Sequence, residues 1–209
     1  MGNYEPRKIG IFGGSFDPVH TGHLIVAEQA RVQFDLARVY FVPAKASPLK
    51  KACRANARQR LTMLQLATRG NAHFAVSDLE IKRTSPSYTY ETVSTFTVRH
   101  PAAVLYLITG QDAFEDLPAW HRYQELARLV RFLVAPRSPD RPVRRPAGDA
   151  PVRFDVLASP RVEISSTQIR EWCRGSKCVR YLVPDKVFAY LKRKKPYGSG
   201  KDTRRDHGH

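Results

Sequence analysis

The chain has only three cysteines among 209 residues, Cys53, Cys173 and Cys178. None forms a C-x-x-C pair, and the odd count argues against a disulfide framework. Cys173 and Cys178 lack further ligands at a zinc-site spacing, so the thiols read as reduced and no resident metal site is expected. No apolar run approaches the roughly 20 residues that a membrane-spanning helix needs. The opening MGNYEPRKIG lacks the apolar core of a signal peptide, which gives the expectation of a cytoplasmic protein. Internal repeats are absent. Acidic residues are few: 19 Asp and Glu stand against 35 Lys and Arg, for a net charge of +16.

Such a surplus fits proteins that handle phosphates, nucleic acids included. Its placement narrows that. Residues 192–209 carry +5 and residues 137–153 carry +3, so half of the excess lies in two stretches rich in Pro or Gly. A nucleic-acid module would interleave aromatics with basic residues on a platform. The clustered charge here points instead to small polyanions, and neither a nucleic-acid nor a membrane partner is expected.

Strand-like and helix-like runs alternate along the chain. The expected strands are 8–12, 39–43, 74–76, 103–109, 132–135, 152–156 and 161–164. Helical spacing covers 24–34, 57–68 (capped by Asn56, with Gly70 just past its end), 90–99, a region 111–129 that contains Pro118 and Trp120, 167–173, and a last helix from Pro184 to about Lys192. Residues 77–92 read as a loop. Alternation with short loops predicts an α/β, doubly wound, mainly parallel sheet. It is expected as one domain over residues 1–191, with a small C-terminal helical portion from about 165. Residues 192–209 are expected as a flexible basic tail, dispensable for chemistry. In such a sheet ligands bind beyond the carboxyl ends of the strands, where strand order reverses.

The richest stretch is IFGGSFDPVHTGHL, from Ile11 to Leu24. Gly13 and Gly14 follow the first strand and leave no Cβ between backbone N–H groups and an anion. His20 and His23, three apart at the start of a helix, can face one spot near its positive end. Imidazole N–H groups there suit charge that builds on phosphate oxygens. A second stretch, ISSTQIR from Ile164 to Arg170, reads as a capped helix start. Ser165 and Gln168 have the capping-box spacing, Ser166 and Thr167 add hydroxyls, and Arg170 adds a cation one turn on.

Together these stretches resemble the signature of the nucleotidyltransferase superfamily that carries an H-x-G-H motif on a Rossmann-like fold. That family joins a nucleoside triphosphate to a phosphate-bearing acceptor and releases pyrophosphate. Within it the chain is similar to the bacterial nicotinate-nucleotide adenylyltransferases from Ile9 to about Leu191. The matching segments are Asp78-Leu79-Glu80, Arg83, Ser87-Tyr88-Thr89 with Thr92, then Gly110, Asp112, Leu117 and Trp120, and finally Pro184, Val187 and Tyr190.

The resemblance implies adenylyl transfer from ATP to nicotinate mononucleotide in NAD biosynthesis, with Mg²⁺ carried by ATP. It implies that His20 and His23 are catalytic. The ATP and its phosphates would meet Gly13, Gly14, Ser15, Phe16, Lys50, Ser165, Ser166, Thr167 and Arg170, with Gly110 and Asp112 near the nucleotide sugars. The nicotinate nucleotide would meet Ser15, Lys50, Tyr88, Thr89 and Trp120. An aromatic face suits a flat pyridine ring, and backbone N–H groups suit its carboxylate.

Two positions depart from the family pattern. Ser15 stands where Thr is frequent and keeps a hydroxyl. Leu49 stands where Pro-His-Lys usually has its histidine, so Lys45 or Lys50 must serve any phosphate contact from that loop. A sister adenylyltransferase acting on nicotinamide mononucleotide or phosphopantetheine, and a basic nucleic-acid-binding module, are the alternatives. The oligomeric state, monomer or homodimer, is left open.

Overall fold

The structure, a computed structural model, describes residues 7–45, 53–84, 86–138, 140–160 and 162–198. Six strands form one sheet: β1 (Lys8–Gly14), β2 (Arg38–Pro43), β3 (Phe74–Val76), β4 (Val104–Gly110), β5 (Arg131–Ala135) and β6 (Phe154–Val156). All pairings are parallel, in the order β3-β2-β1-β4-β5-β6. Strand order therefore reverses between β1 and β4.

Alternation along β1 sends Ile9 and Ile11 to one face and Phe12 to the other. Gly10 shares the face of Phe12 because the backbone runs close to its neighbours there. A Cβ would lie 2.9 Å from Leu36 Cδ1 and 3.2 Å from Val39 Cγ2. The Phe12 face is covered by α1 (Thr21–Gln33), α2 (Ala57–Thr68), α7 (Ser166–Arg174) and α8 (Asp185–Lys194). The other face packs on α4 (Thr89–Arg99), α5 (Gln111–Glu115) and α6 (Tyr123–Leu129). A short α3 (Leu79–Lys82) follows β3. No described helix is long and apolar enough to cross a membrane.

Local chemistry accounts for the element ends. Asn56 Oδ1 accepts the Gln59 N–H at 2.9 Å, and the Gln59 side chain returns a bond to the Asn56 N–H, also at 2.9 Å. This reciprocal box starts α2 where the sequence predicts it. Gly70, at φ +110°, takes the left-handed backbone just beyond its end.

Four expectations change. Residues 77–92 are not all loop: α3 forms with an i,i+4 ion pair between Lys82 and Asp78 at 2.8 Å, and α4 begins at Thr89. The stretch 111–129 splits into α5, a 3₁₀ turn at Leu117–Ala119 and α6, because Pro118 cannot continue a helical ladder. Residues 162–164 form no strand; the Ile164 N–H turns back to Val162 O at 2.9 Å instead of entering a ladder. The C-terminal boundary also shifts. Helix α8 runs to Lys194, Lys195 turns with φ 43°, and Tyr197 is only 4% exposed. Of the expected tail, residues 192–194 are helical with exposed side chains and Tyr197 is buried, and 199–209 lie outside the described residues.

Candidate active site

The loops after β1 and β4, with the N-termini of α1, α4 and α7, surround a cleft of about 1870 Å³. Gly13, Gly14, Ser15, Phe16, His20 and His23 line it from the β1 side. Gly110, Asp112 and Trp120 line it beyond β4, Tyr88 and Thr89 at the start of α4, and Ser165 and Thr167 at the start of α7. Most residues singled out from the sequence thus meet at the switch point of the sheet.

The two glycines have different reasons. A Cβ on Gly14 would stand 3.1–3.4 Å from the Phe16 ring, so Gly14 makes room for Phe16. Phe16 needs that room because it takes the left-handed backbone (φ 47°) with its ring buried. A Cβ on Gly13 or on Gly110 would meet nothing within 4 Å. Packing does not demand glycine at either place, and both open on the cleft.

His20 is the N-cap of α1 and His23 lies in its first turn. Their rings overlap, with centroids 3.7 Å apart and a tilt of 31°. Gly22 between them is what lets the first ring fold over the helix start: its Cβ would lie 3.1 Å from His20 Nδ1. The His20 N–H donates to His23 Nδ1 at 3.2 Å. With Nδ1 accepting, the neutral His23 ring carries its proton on Nε2 and is a donor there. The edge of the Phe16 ring supports His23, with centroids 5.0 Å apart.

His20 is uncharged at neutral pH, since burial lowers its pKa to about 4. Its Nδ1 is buried without a hydrogen-bond partner among the described residues. This predicts a pH dependence. Between about pH 4 and 6.5 the unfolded His20 binds a proton that the folded one excludes, so folding stability should rise with pH across that window. The shift corresponds to on the order of 3 kcal/mol. Urea unfolding at pH 4.5 and 7 should show a clearly flatter pH slope for His20→Asn than for the parent chain. Equal slopes would mean that His20 is not the linked group.

The loop between β1 and α1 is pinned by Asp17, 4% exposed. Its Oδ2 accepts the Arg54 N–H at 2.8 Å, and its Oδ1 accepts the Ala55 N–H at 3.0 Å and the Tyr197 hydroxyl at 2.8 Å. Arg60 supports the same loop from beneath, donating to Ser15 O at 2.7 Å, Lys45 O at 3.2 Å and Ala55 O at 3.3 Å.

Other predicted residues take different positions. Ser166 and Arg170 do not line the cleft. The Ser166 hydroxyl donates to Pro18 O at 2.8 Å. Arg170 donates to Asp17 O at 2.7 Å and to Thr167 Oγ1 at 2.9 Å. Both fasten α7 to the loop that carries His20. At the head of α7 the Gln168 N–H donates to Ser165 Oγ at 3.1 Å, while the Gln168 side chain lines the cleft. Lys45 is engaged: Nζ donates to Arg83 O at 2.7 Å and its N–H to Ser87 Oγ at 3.0 Å. Lys50 lies outside the described residues. Asp112 is bridged by Arg137 and by Arg141, the latter at 2.7 Å, and their hydrogen bonds hold its carboxyl below the usual range.

Sequence patterns alone missed several cleft residues. His121 stacks on Tyr88 with centroids 4.3 Å apart, extending the aromatic wall of Tyr88 and Trp120. Glu80, 6% exposed, accepts the Thr92 hydroxyl at 2.7 Å, and burial pushes its pKa up. The match Asp78-Leu79-Glu80 was the one signal that could have flagged it. Arg137 and Ser138 come from a stretch that composition presents as a solvated loop.

A parallel sheet with a histidine pair and bare glycines at its switch point defines a nucleotidyltransferase of the Rossmann-like kind. The sequence profile described as cytidylyltransferase-like matches residues 11–172. Nicotinate-nucleotide adenylyltransferase of Bacillus subtilis (strain 168) is 37% identical over 92% of this chain and 100% of its own length. A Synechococcus sp. (strain JA-3-3Ab) protein, named as a probable nicotinate-nucleotide adenylyltransferase, is 42% identical over 92% of this chain and 96% of its own. The chain belongs to the cytidylyltransferase-like family and, within it, to the nicotinate-nucleotide adenylyltransferases. Among solved structures, Plasmodium falciparum nicotinic acid mononucleotide adenylyltransferase complexed with NaAD superposes with a TM-score of 0.75. It is 19% identical, covering 91% of this chain and 97% of that one, and so bears on the fold alone.

Proposed function

We propose that the chain transfers the adenylyl group of ATP to nicotinate mononucleotide, giving nicotinate adenine dinucleotide and pyrophosphate. The observation that carries this reading is the stacked His20–His23 pair at the head of α1, facing a cleft about twice the volume of an ordinary single-ligand pocket. Such a cleft has room for two nucleotides end to end.

The acceptor phosphate, with a second pKa of about 6, is already largely ionised near neutral pH and needs no strong base. One of its oxygens attacks the α-phosphorus of ATP in line, and the bond to the bridging oxygen of pyrophosphate breaks. Catalysis is then positioning and stabilisation of charge on the phosphoryl oxygens. His23 donates from Nε2 to an oxygen that gains charge. His20, being neutral, acts as a hydrogen-bond partner and not as a cation. The backbone at Gly13 and Gly110 admits the nucleotide closely, and the N–H groups at the head of α7 face the triphosphate.

Mg²⁺ would enter with the ATP substrate. The buried carboxylates Asp17 and Glu80 are both engaged by protein donors, and no described cluster of three His, Cys, Asp or Glu could hold an ion. When bound, the ion neutralises the departing pyrophosphate.

Nicotinate lies against Tyr88, His121 and Trp120. Its carboxylate is received at the head of α4, whose N-cap Tyr88 makes no side-chain cap. Donors built for a carboxylate match an amide NH₂ poorly. Pyrophosphate release with MgATP should therefore be at least tenfold faster, in kcat/KM, with nicotinate mononucleotide than with nicotinamide mononucleotide, and absent with phosphopantetheine. Equal use of the amide would overturn the assignment of the carboxylate to α4. Turnover of phosphopantetheine alone would move the chain to a different acceptor.

A further inference from the structure

The buried residue farthest along the described chain touches the loop that carries His20. Tyr197 lies 180 positions after Asp17, yet its hydroxyl donates to Asp17 Oδ1 at 2.8 Å and is buried there. Burial and the adjacent Asp17 carboxylate push the phenol pKa well up, so the hydroxyl stays a donor at every working pH.

Asp17 is three residues before His20, and what holds Asp17 holds the entry into α1. The donors come from separate parts of the chain: Arg54 and Ala55 N–H groups before α2, Arg170 on α7, and Tyr197 beyond α8. Two further bonds fix the same loop to the C-terminal portion, from the Ser166 hydroxyl to Pro18 O and from the Thr21 N–H to Leu182 O at 2.9 Å. Among the side-chain donors here, Ser166 and Arg170 belong to the ISSTQIR stretch, and Tyr197 lies outside both motif stretches. Without it, Oδ1 keeps a single protein donor in a buried setting, and the carboxylate can rotate away from the Arg54 and Ala55 amides. A small displacement matters because in-line transfer depends on placing donors to within about half an ångström.

We infer that Tyr197 is a positioning residue: by locking Asp17 it sets where the His20–His23 pair stands in the cleft. This rests on the adenylyl-transfer reading for its kinetic readout, but not for its spectroscopic one.

The test is Tyr197→Phe in the full chain, with Leu191→Ala as a comparison. Leu191 is buried on α8 in the same C-terminal portion, and its aliphatic side chain has no group that could donate to Asp17. In Tyr197→Phe, kcat for dinucleotide formation should fall about tenfold, with KM for MgATP and for nicotinate mononucleotide within about twofold. The imidazole ¹⁵N resonances of His20 and His23 should move, while those of His73 and His100 stay. Leu191→Ala should lower Tm at least as much while keeping kcat within about twofold. Unmoved His20 and His23 resonances in Tyr197→Phe overturn the proposal. If those resonances move in a protein that makes no dinucleotide even as the parent chain, the positioning role stands and the adenylyl-transfer reading falls.

Discussion

His23→Ala is expected to lower kcat by a hundredfold or more while leaving KM for both substrates within a few-fold. The His23 ring is held from three sides: the His20 N–H on Nδ1, the His20 ring stacked at 3.7 Å, and the Phe16 edge. A ring fixed this way costs no reorganisation when charge develops on the phosphoryl oxygens. Losing one preorganised donor of this kind costs on the order of 3 kcal/mol of transition-state stabilisation. Since the ground-state phosphates keep their other contacts, the loss should fall on kcat and on kcat/KM alike.

A purely structural His23 would behave differently. Removing its Nδ1 orphans the His20 N–H and would lower Tm, while turnover per folded molecule stayed near normal. Steady-state kinetics and thermal unfolding on one preparation separate these outcomes. Near-parental kcat in folded His23→Ala would mean that the histidines only shape the turn. His20→Ala should also lose turnover, but its pH behaviour should differ because the ring is already neutral through most of the working range.

Much of this site is legible in the sequence because its logic is local. Gly-Gly after an apolar run, histidines three apart and an S-x-x-Q helix start each specify geometry within a few residues. The fold follows from period as well: β4 is apolar on both faces, as a central parallel strand must be, and Asn56 with Gln59 writes its own cap. What escapes is the long-range polar wiring. Tyr197 follows a run of four basic residues and a turn at Lys195, a pattern that reads as a solvated tail. Its partner lies 180 residues away, and no periodicity connects them. Arg170 reads as a phosphate ligand because it adds a cation one turn past a helix start that already suits an anion. Only the closeness of Asp17 O shows it spending its donors on the protein. The strand expected at 161–164 has a simpler failing: over the described residues 162–164 the two β-branched side chains do not by themselves make a strand, and the Ile164 N–H turns back to Val162 O.

Arg60→Met should cost the fold about 3 kcal/mol or more, the larger of the stability effects expected here. Arg60 is 1% exposed, and no described carboxylate forms an ion pair with it. A buried guanidinium usually survives beside an acid; this one is held by the carbonyls of Ser15, Lys45 and Ala55. Those carbonyls lie on the loop after β1, just beyond β2 and before α2, so one side chain spans three segments beside the cleft. Methionine fills most of the volume and escapes the desolvation cost of the charge, which works in its favour. Against that, three carbonyl oxygens lose charged donors, each worth roughly 1.5–3 kcal/mol. Glu80 also loses a nearby positive charge that offsets its burial. The losses outweigh the relief. For a chain of this size about 3 kcal/mol corresponds to a Tm drop of roughly 10 °C. Arg60→Lys keeps the charge but cannot reach three carbonyls at once, so its Tm should fall between the two. A parental Tm in Arg60→Met would mean that water satisfies those carbonyls equally well. The guanidinium would then no longer explain how the loop after β1 is kept in place.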